Sequence, residues 1–233
     1  RSPILILTGM HRSGTSLVSN YMQKCGICMG ENMINANSGN PLGYFEDQDF
    51  LDFHKSVMLF NNLSLFPSLE DNINICFNDQ QKGKALNIVA SKPNKSEWGW
   101  KDPRTVFFLN SWNDLLEECF FVFLFRHPLS VLDSLLRRAT DKVLTQNPLL
   151  SIESWLVYNR LIVEFISQNP NCSSLFEIED LINDPSILVS AARFHNIHLN
   201  ASKFDSVFRK NSFSNKKKLM CEVSYEQFLD EKI

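Results

Sequence analysis

LILTGMHRSGTSLVSNY, residues 5–21, changes its periodicity halfway along. Before Gly9 the run Ile4–Leu7 is apolar and partly β-branched, with Pro3 and Gly9 at its ends. Such a run has the character of a strand buried on both faces of a parallel sheet. After Gly14 the apolar residues return at Leu17, Val18, Tyr21 and Met22, which is helical spacing, and Gly26 and Gly30 bring that helix to an end. Between strand and helix lies Gly9-Met-His-Arg-Ser-Gly14-Thr15-Ser16. Its two glycines have the spacing of a phosphate-binding loop, GxxxxGK[ST], and Ser16 stands at the Ser/Thr position. Thr15 stands where the lysine belongs, and the nearest cation is Arg12.

A loop of this form aims successive backbone N–H groups at one point, and the helix N-terminus adds partial positive charge there. The combination suits a tetrahedral oxyanion. In ATP and GTP enzymes the loop lysine reaches the β- and γ-phosphates and Mg²⁺ neutralises the remainder. A transferred sulfonate carries less charge than a phosphoryl group, so hydrogen bonds and one early cation suffice. Loss of the lysine therefore leans the loop toward sulfuryl transfer.

Outward from the loop, strand and helix patterns alternate. Strands are expected at WGWK (98–101), at Phe120–Phe125 and at Ser174–Ile178. Helices are expected from Asp47 to about Asn61, over Asp79–Ala90, Arg104–Cys119, from Pro128 onward, over Ser151–Gln168 and through EDLINDPSILVSAARFHNI (179–197). Strands separated by helices imply an α/β fold of three layers, a central parallel sheet flanked by helices with right-handed crossovers. No repeat or composition break divides the 233 residues, so a single domain is expected.

Composition narrows the partners. With 23 basic against 26 acidic residues the chain has no surplus for a broad basic face, which argues against nucleic acid. No apolar run approaches the roughly 20 residues of a membrane span. The 19 phenylalanines point to an aromatic core. Cys25 and Cys28 have CxxC spacing, but no second pair completes a zinc set; scattered free thiols, no metal and a reducing, cytoplasmic location are expected.

A second anchor follows the strand FFVFLF. Arg126 stands at its C-terminal end, the edge at which open parallel sheets bind ligands, and Ser134 lies on the helix after it. An arginine fork with a hydroxyl suits a second phosphate.

GMHRSGTSL together with FRHPLSVLDS resembles the sulfotransferases that use 3′-phosphoadenosine 5′-phosphosulfate (PAPS), a fold akin to that of the P-loop NTPases. NPLGYFED and WGWKDPR resemble the bacterial branch of that family, so four motifs in order span about residues 4–180. The resemblance implies that Arg12, Ser13, Gly14, Thr15 and Ser16 hold the 5′-phosphosulfate, and that Arg126 and Ser134 hold the 3′-phosphate. It also implies a basic C-terminal loop over the donor, for which Arg209 or Lys210 would serve. Lys101 resembles the family lysine at the bridging oxygen of the scissile bond.

Transfer also needs a base for the acceptor proton. Glu46, in GYFED, is the first candidate, because carbohydrate-modifying members of the family use a glutamate in such a segment. Asp102 is its rival, next to the lysine where cytosolic relatives carry a histidine; His11 and His54 follow. Asp47 reads better as a helix N-cap. Arg104 is left between holding an anionic acceptor and pairing with an acid. The expected activity is metal-independent sulfonate transfer from PAPS to a hydroxyl or amine of a small-molecule or glycan acceptor. The alternatives are a kinase with an atypical loop, which lacks both the lysine and an acid at the end of FFVFLF, and a non-catalytic nucleotide-binding domain. The loops at about 30–45, 62–78 and 140–150 are expected to shape the acceptor site.

Overall fold

β1, Ile4–Gly9, has an apolar side chain at each of its first four positions, and burial on both sides follows. In a computed structural model, which describes residues 3–34, 43–92, 97–138 and 142–200, β1 pairs in parallel with two strands. Gly99–Lys101 (β2) lies on one side and Cys119–Phe125 (β3) on the other, with Ser173–Glu177 (β4) beyond β3. Among the described residues the sheet order is β2-β1-β3-β4, all parallel. Leu5 is in register with Gly99 and Phe120, and Leu7 with Lys101 and Val122. Gly99 is required by that contact, because a Cβ there would lie 1.9 Å from the Leu5 carbonyl oxygen.

Alternate side chains point to opposite faces, so the sheet builds two cores. Ile6, Trp100, Phe121 and Phe123 face one side. There they meet α2 (Gln48–Phe60), α4 (Leu109–Leu115), α5 (Pro128–Arg138) and α7 (Pro148–Gln168). Leu5, Leu7, Phe120, Val122 and Leu124 face the other. Their partners are α1 (Thr15–Lys24), α8 (Ile178–Asn183) and α9 (Ser186–Phe194). The three-layer α/β architecture expected from the alternation is the one found. Each fully buried phenylalanine of β3 stabilises the fold by roughly 1.5–3 kcal/mol. Among the described residues the remaining α-helices are α3 (Asp79–Ser91), packed on α2, and the short α6 (Lys142–Gln146) before α7.

Two expected helices are interrupted. The segment from Arg104 is a 3₁₀ turn over Pro103–Phe108 followed by α4, which stops at Leu115; Cys119 is drawn into β3 by its pairing with Ile4. The segment after β4 breaks into α8 and α9 at Asp184-Pro185. Proline disfavours helical geometry in the residue before it, and Asp184 accepts the Ser186 N–H at 3.0 Å, starting the next helix instead.

From β1 the chain crosses to β2 on one side, then returns past β1 to β3 on the other. The order reverses between β1 and β3, and the crevice beyond the carboxyl ends of strands at such a point is where ligands bind in open α/β sheets. The loop at 9–14 leaves β1 there, Arg126 follows β3, and Lys101 ends β2 one strand away.

Candidate active site

Three backbone positions in the loop after β1 have positive φ. Gly9 (φ 151) comes so close to β3 that a Cβ would sit 2.2 Å from the Leu124 carbonyl oxygen. Gly14 (φ 93) is the left-handed residue that opens α1, tight against Ile178. Arg12 (φ 71) carries a side chain in that region, a strained conformation that clusters at functional positions. The bend brings Ser13 inward, and its buried hydroxyl meets no hydrogen-bond partner among the described residues. The N–H groups of Thr15 and Ser16, in the first turn of α1, have no intrahelical acceptor by helix geometry. An oriented hydroxyl beside helix-start amides fits a tetrahedral anion, as the sequence pattern implies.

The two candidate anion motifs meet. Arg12 Nε donates to Ser134 Oγ at 2.8 Å across 122 residues of sequence. Arg126 Nε bonds Glu179 Oε1 at 3.3 Å, and the Arg126 carbonyl accepts the Trp155 indole N–H at 2.9 Å. Ser16 Oγ donates to the Tyr44 carbonyl at 3.1 Å, tying the segment that carries Glu46 to the start of α1. Arg209 and Lys210 lie outside the described residues, as do parts of the loops expected near the acceptor.

Glu46 and Lys101 form an ion pair of 2.7 Å, with only 5% of Glu46 and 2% of Lys101 exposed. Lys101 thus pairs with Glu46, the first candidate base, and not with its chain neighbour Asp102. Arg104 resolves as a carboxylate holder: its Nη1 lies 3.3 Å from Glu46 Oε2 and 2.8 Å from Asp102 Oδ1. Asp102 also accepts the Arg104 backbone N–H at 2.9 Å and faces His54 Nδ1 at 2.8 Å. Burial pushes the Asp102 carboxyl up, but the Arg104 charge and the hydrogen bonds from His54 and Arg104 outweigh it and hold it well below the usual carboxylate range. Burial lowers the Arg104 guanidinium, and the charges of Asp102 and Glu46 more than reverse that.

His54 is fully buried, and its Nε2 receives the Trp112 indole N–H at 2.9 Å. Asp47 is the N-cap of α2, accepting the Asp49 N–H at 3.0 Å, as its sequence position suggested. It is clamped by Lys92, whose Nζ lies 3.0 and 2.9 Å from its two oxygens and 2.6 Å from Asp49. His11 in the loop faces the rings of Phe66 and Tyr158, whose hydroxyl donates to the Leu65 carbonyl at 3.1 Å. Leu65 and Phe66 thus lie beside the loop after β1.

Sequence reasoning overlooked Thr8, Trp112 and Tyr158. Thr8 Oγ1 donates to the Asp102 carbonyl at 2.8 Å and pins β2's exit to β1. A hydroxyl ending an apolar strand was its signal. Trp112 and Tyr158 carried only a general one: a buried indole or phenol needs a polar partner.

No protein-family model and no curated protein sequence matches the chain. Solved structures do match. The sulfotransferase domain from the curacin biosynthetic pathway superposes with a TM-score of 0.54 at 18% identity, covering 86% of this chain and 76% of that one. A sulfotransferase from Alicyclobacillus acidocaldarius gives 0.53 at 12%, covering 99% and 91%. The sulfotransferase domain of the Synechococcus PCC 7002 olefin synthase gives 0.51 at 17%, covering 90% and 81%. The likeness is one of fold: the chain has the architecture of the sulfotransferases.

Proposed function

We propose that this protein transfers a sulfonate group from PAPS to a hydroxyl or amine of a small-molecule or glycan acceptor. The observation that carries the reading is the Arg12–Ser134 bond, which joins the two anion motifs at the switch point of a sulfotransferase fold. PAPS supplies a sulfonate already attached to a good leaving phosphate. Arg12, Ser13, Gly14, Thr15 and Ser16 hold the 5′ end of the donor, and Arg126 with Ser134 holds its 3′-phosphate. Arg126 exchanges Glu179 for that phosphate, a stronger charge-assisted partner.

Lys101 and Glu46 share one ion pair and have two separate tasks. Lys101 leaves Glu46 to follow the charge that develops on the leaving phosphate oxygen. Glu46, released on that side and still held by Arg104, takes the acceptor proton. The acceptor oxygen or nitrogen forms its bond to sulfur as the bond from sulfur to the phosphate oxygen breaks, and the bisphosphate departs. Asp102, held as an ion by Arg104 and His54, positions and does not accept that proton. Because the base is paired until Lys101 moves, donor binds before acceptor.

Calorimetry with adenosine 3′,5′-bisphosphate and with ATP–Mg²⁺ tests the donor class, and labelled PAPS offered to a panel of alcohols, amines and glycans tests the reaction. Arg12→Ala and Arg126→Ala should each weaken bisphosphate binding by roughly tenfold or more, as loss of a charge-assisted bond costs about 1.5–3 kcal/mol. Glu46→Gln should bind bisphosphate normally and lose about 10²–10⁴ in turnover. Unchanged affinity in both arginine variants, or preference for ATP–Mg²⁺, sinks the proposal.

A further inference from the structure

Behind Glu46 the hydrogen bonds continue inward. Arg104 Nη1 links Glu46 Oε2 to Asp102 Oδ1, Asp102 Oδ2 faces His54 Nδ1, and His54 Nε2 meets the Trp112 N–H. His54 and Trp112 are fully buried, so neither touches a substrate. An indole N–H only donates, which makes His54 Nε2 an acceptor and puts the ring proton on Nδ1, aimed at Asp102. The imidazole therefore delivers one N–H to one carboxylate oxygen.

That bond determines what Arg104 can do. Asp102 has two oxygens: Oδ1 takes the Arg104 backbone N–H and Nη1, and Oδ2 takes His54. With Oδ2 already satisfied by the imidazole N–H, that oxygen does not depend on the guanidinium, and Nη1 keeps its longer bond to Glu46. Without the His54 N–H, Oδ2 becomes a buried acceptor with no partner, and the nearest donor fork is Arg104 itself. A planar guanidinium favours the bidentate grip, so Arg104 would turn wholly onto Asp102 and release Glu46. Lys101 from β2 and Tyr158 from α7 also face this cluster; the first is bonded to Glu46 and the second to the Leu65 carbonyl. Among the described residues, neither replaces His54 at Oδ2.

We propose that His54 is a positioning residue for the transfer: by satisfying one oxygen of Asp102 from the core side, it keeps Arg104 on Glu46 and holds that carboxylate in place. The inference rests on Glu46 being the base. His54→Asn keeps an N–H near the position of Nδ1, and His54→Leu removes it. Crystal structures of both variants, calorimetry with adenosine 3′,5′-bisphosphate, and cleavage of labelled PAPS with water as acceptor make the test. In His54→Leu, Arg104 should leave Glu46 for Asp102, and cleavage should fall roughly tenfold or more while bisphosphate affinity changes less than about threefold. In His54→Asn the Arg104–Glu46 contact and most of the cleavage should survive.

Should His54→Leu not fold, His54→Phe keeps a ring stacked on Phe108 in the core and likewise removes the N–H. The same loss of cleavage at unchanged affinity is then expected. An Arg104–Glu46 contact that persists without the His54 N–H overturns the inference, as does equal loss of cleavage in His54→Asn and His54→Leu. Glu46→Gln is run beside them. Full cleavage there removes the base assignment itself, whereas a dead Glu46→Gln with an active His54→Leu removes only the role of His54.

Discussion

Asp102 shows how one buried carboxylate is made into a fixed anion. Its backbone carbonyl is held by Thr8, one oxygen by His54 and the other by Arg104, so the residue cannot turn without breaking contacts on three elements. Its pKa in the folded protein is depressed, and the pH dependence of stability follows. The unfolded carboxyl titrates at about 3.9. The contribution from Asp102 is fully present above that pH and is lost as pH falls through the lower folded value. Asp102→Asn should therefore flatten the fall in stability below about pH 4, and should lower stability at neutral pH, where Arg104 and His54 lose their anion. Urea unfolding of both proteins at several acidic pH values checks this. Parallel curves would mean that Asp102 is not held as an ion.

At the scale of elements, α2 and α3 are joined by charge at the end nearest the site. Lys92, just past α3, is buried against Asp47, the N-cap of α2, and reaches Asp49 in its first turn. Burial pushes the Lys92 ammonium down, and the two carboxylates more than reverse that. Lys92→Met removes the cation and leaves Asp47 buried, its partners among the described residues then being the N–H groups of Glu31 and Asp49. Breaking a buried pair from one side costs about 3 kcal/mol or more. Denaturant unfolding should show that loss, and a double variant with Asp47→Asn should recover part of it. A strictly additive double variant would refute the coupling.

The elements themselves were legible where the pattern was long or strongly apolar. Ile4–Leu7, FFVFLF and the helix from Asp47 needed only periodicity and a cap. The helix expected over Arg104–Cys119 failed because pairing of Cys119 with Ile4 is a contact across 115 residues, which no local pattern carries. The candidate site divides in the same way. The loop at 9–16 and the Arg126–Ser134 interval are local signals and stand in the sequence. That Lys101 belongs to Glu46, and His54 to Asp102, depends on β2 lying beside β1 with α2 above it. The residue types were visible; their partners were set by strand order.

Across the whole molecule, the crevice is an assembly of segments that meet only in the folded state. The loop after β1, the turn after β2, Arg126 after β3 and Ser134 on α5 each contribute one part, and Glu179 on α8 holds Arg126. A ligand that bridges them binds the folded chain and has little affinity for the unfolded one. At a hundred times its dissociation constant, adenosine 3′,5′-bisphosphate should stabilise the fold by about 2.7 kcal/mol. For a chain of this size that corresponds to a rise of roughly 5–10 °C in Tm. ATP–Mg²⁺ at the same concentration should give a much smaller rise, because Thr15 offers no cation to a γ-phosphate. Arg12→Ala and Arg126→Ala should each lose most of the bisphosphate shift, since on the proposed reading each removes a grip on a different phosphate. If the full shift survives in Arg126→Ala and vanishes in Arg12→Ala, the ligand sits in the first loop alone. The second anchor would then have to be moved away from β3.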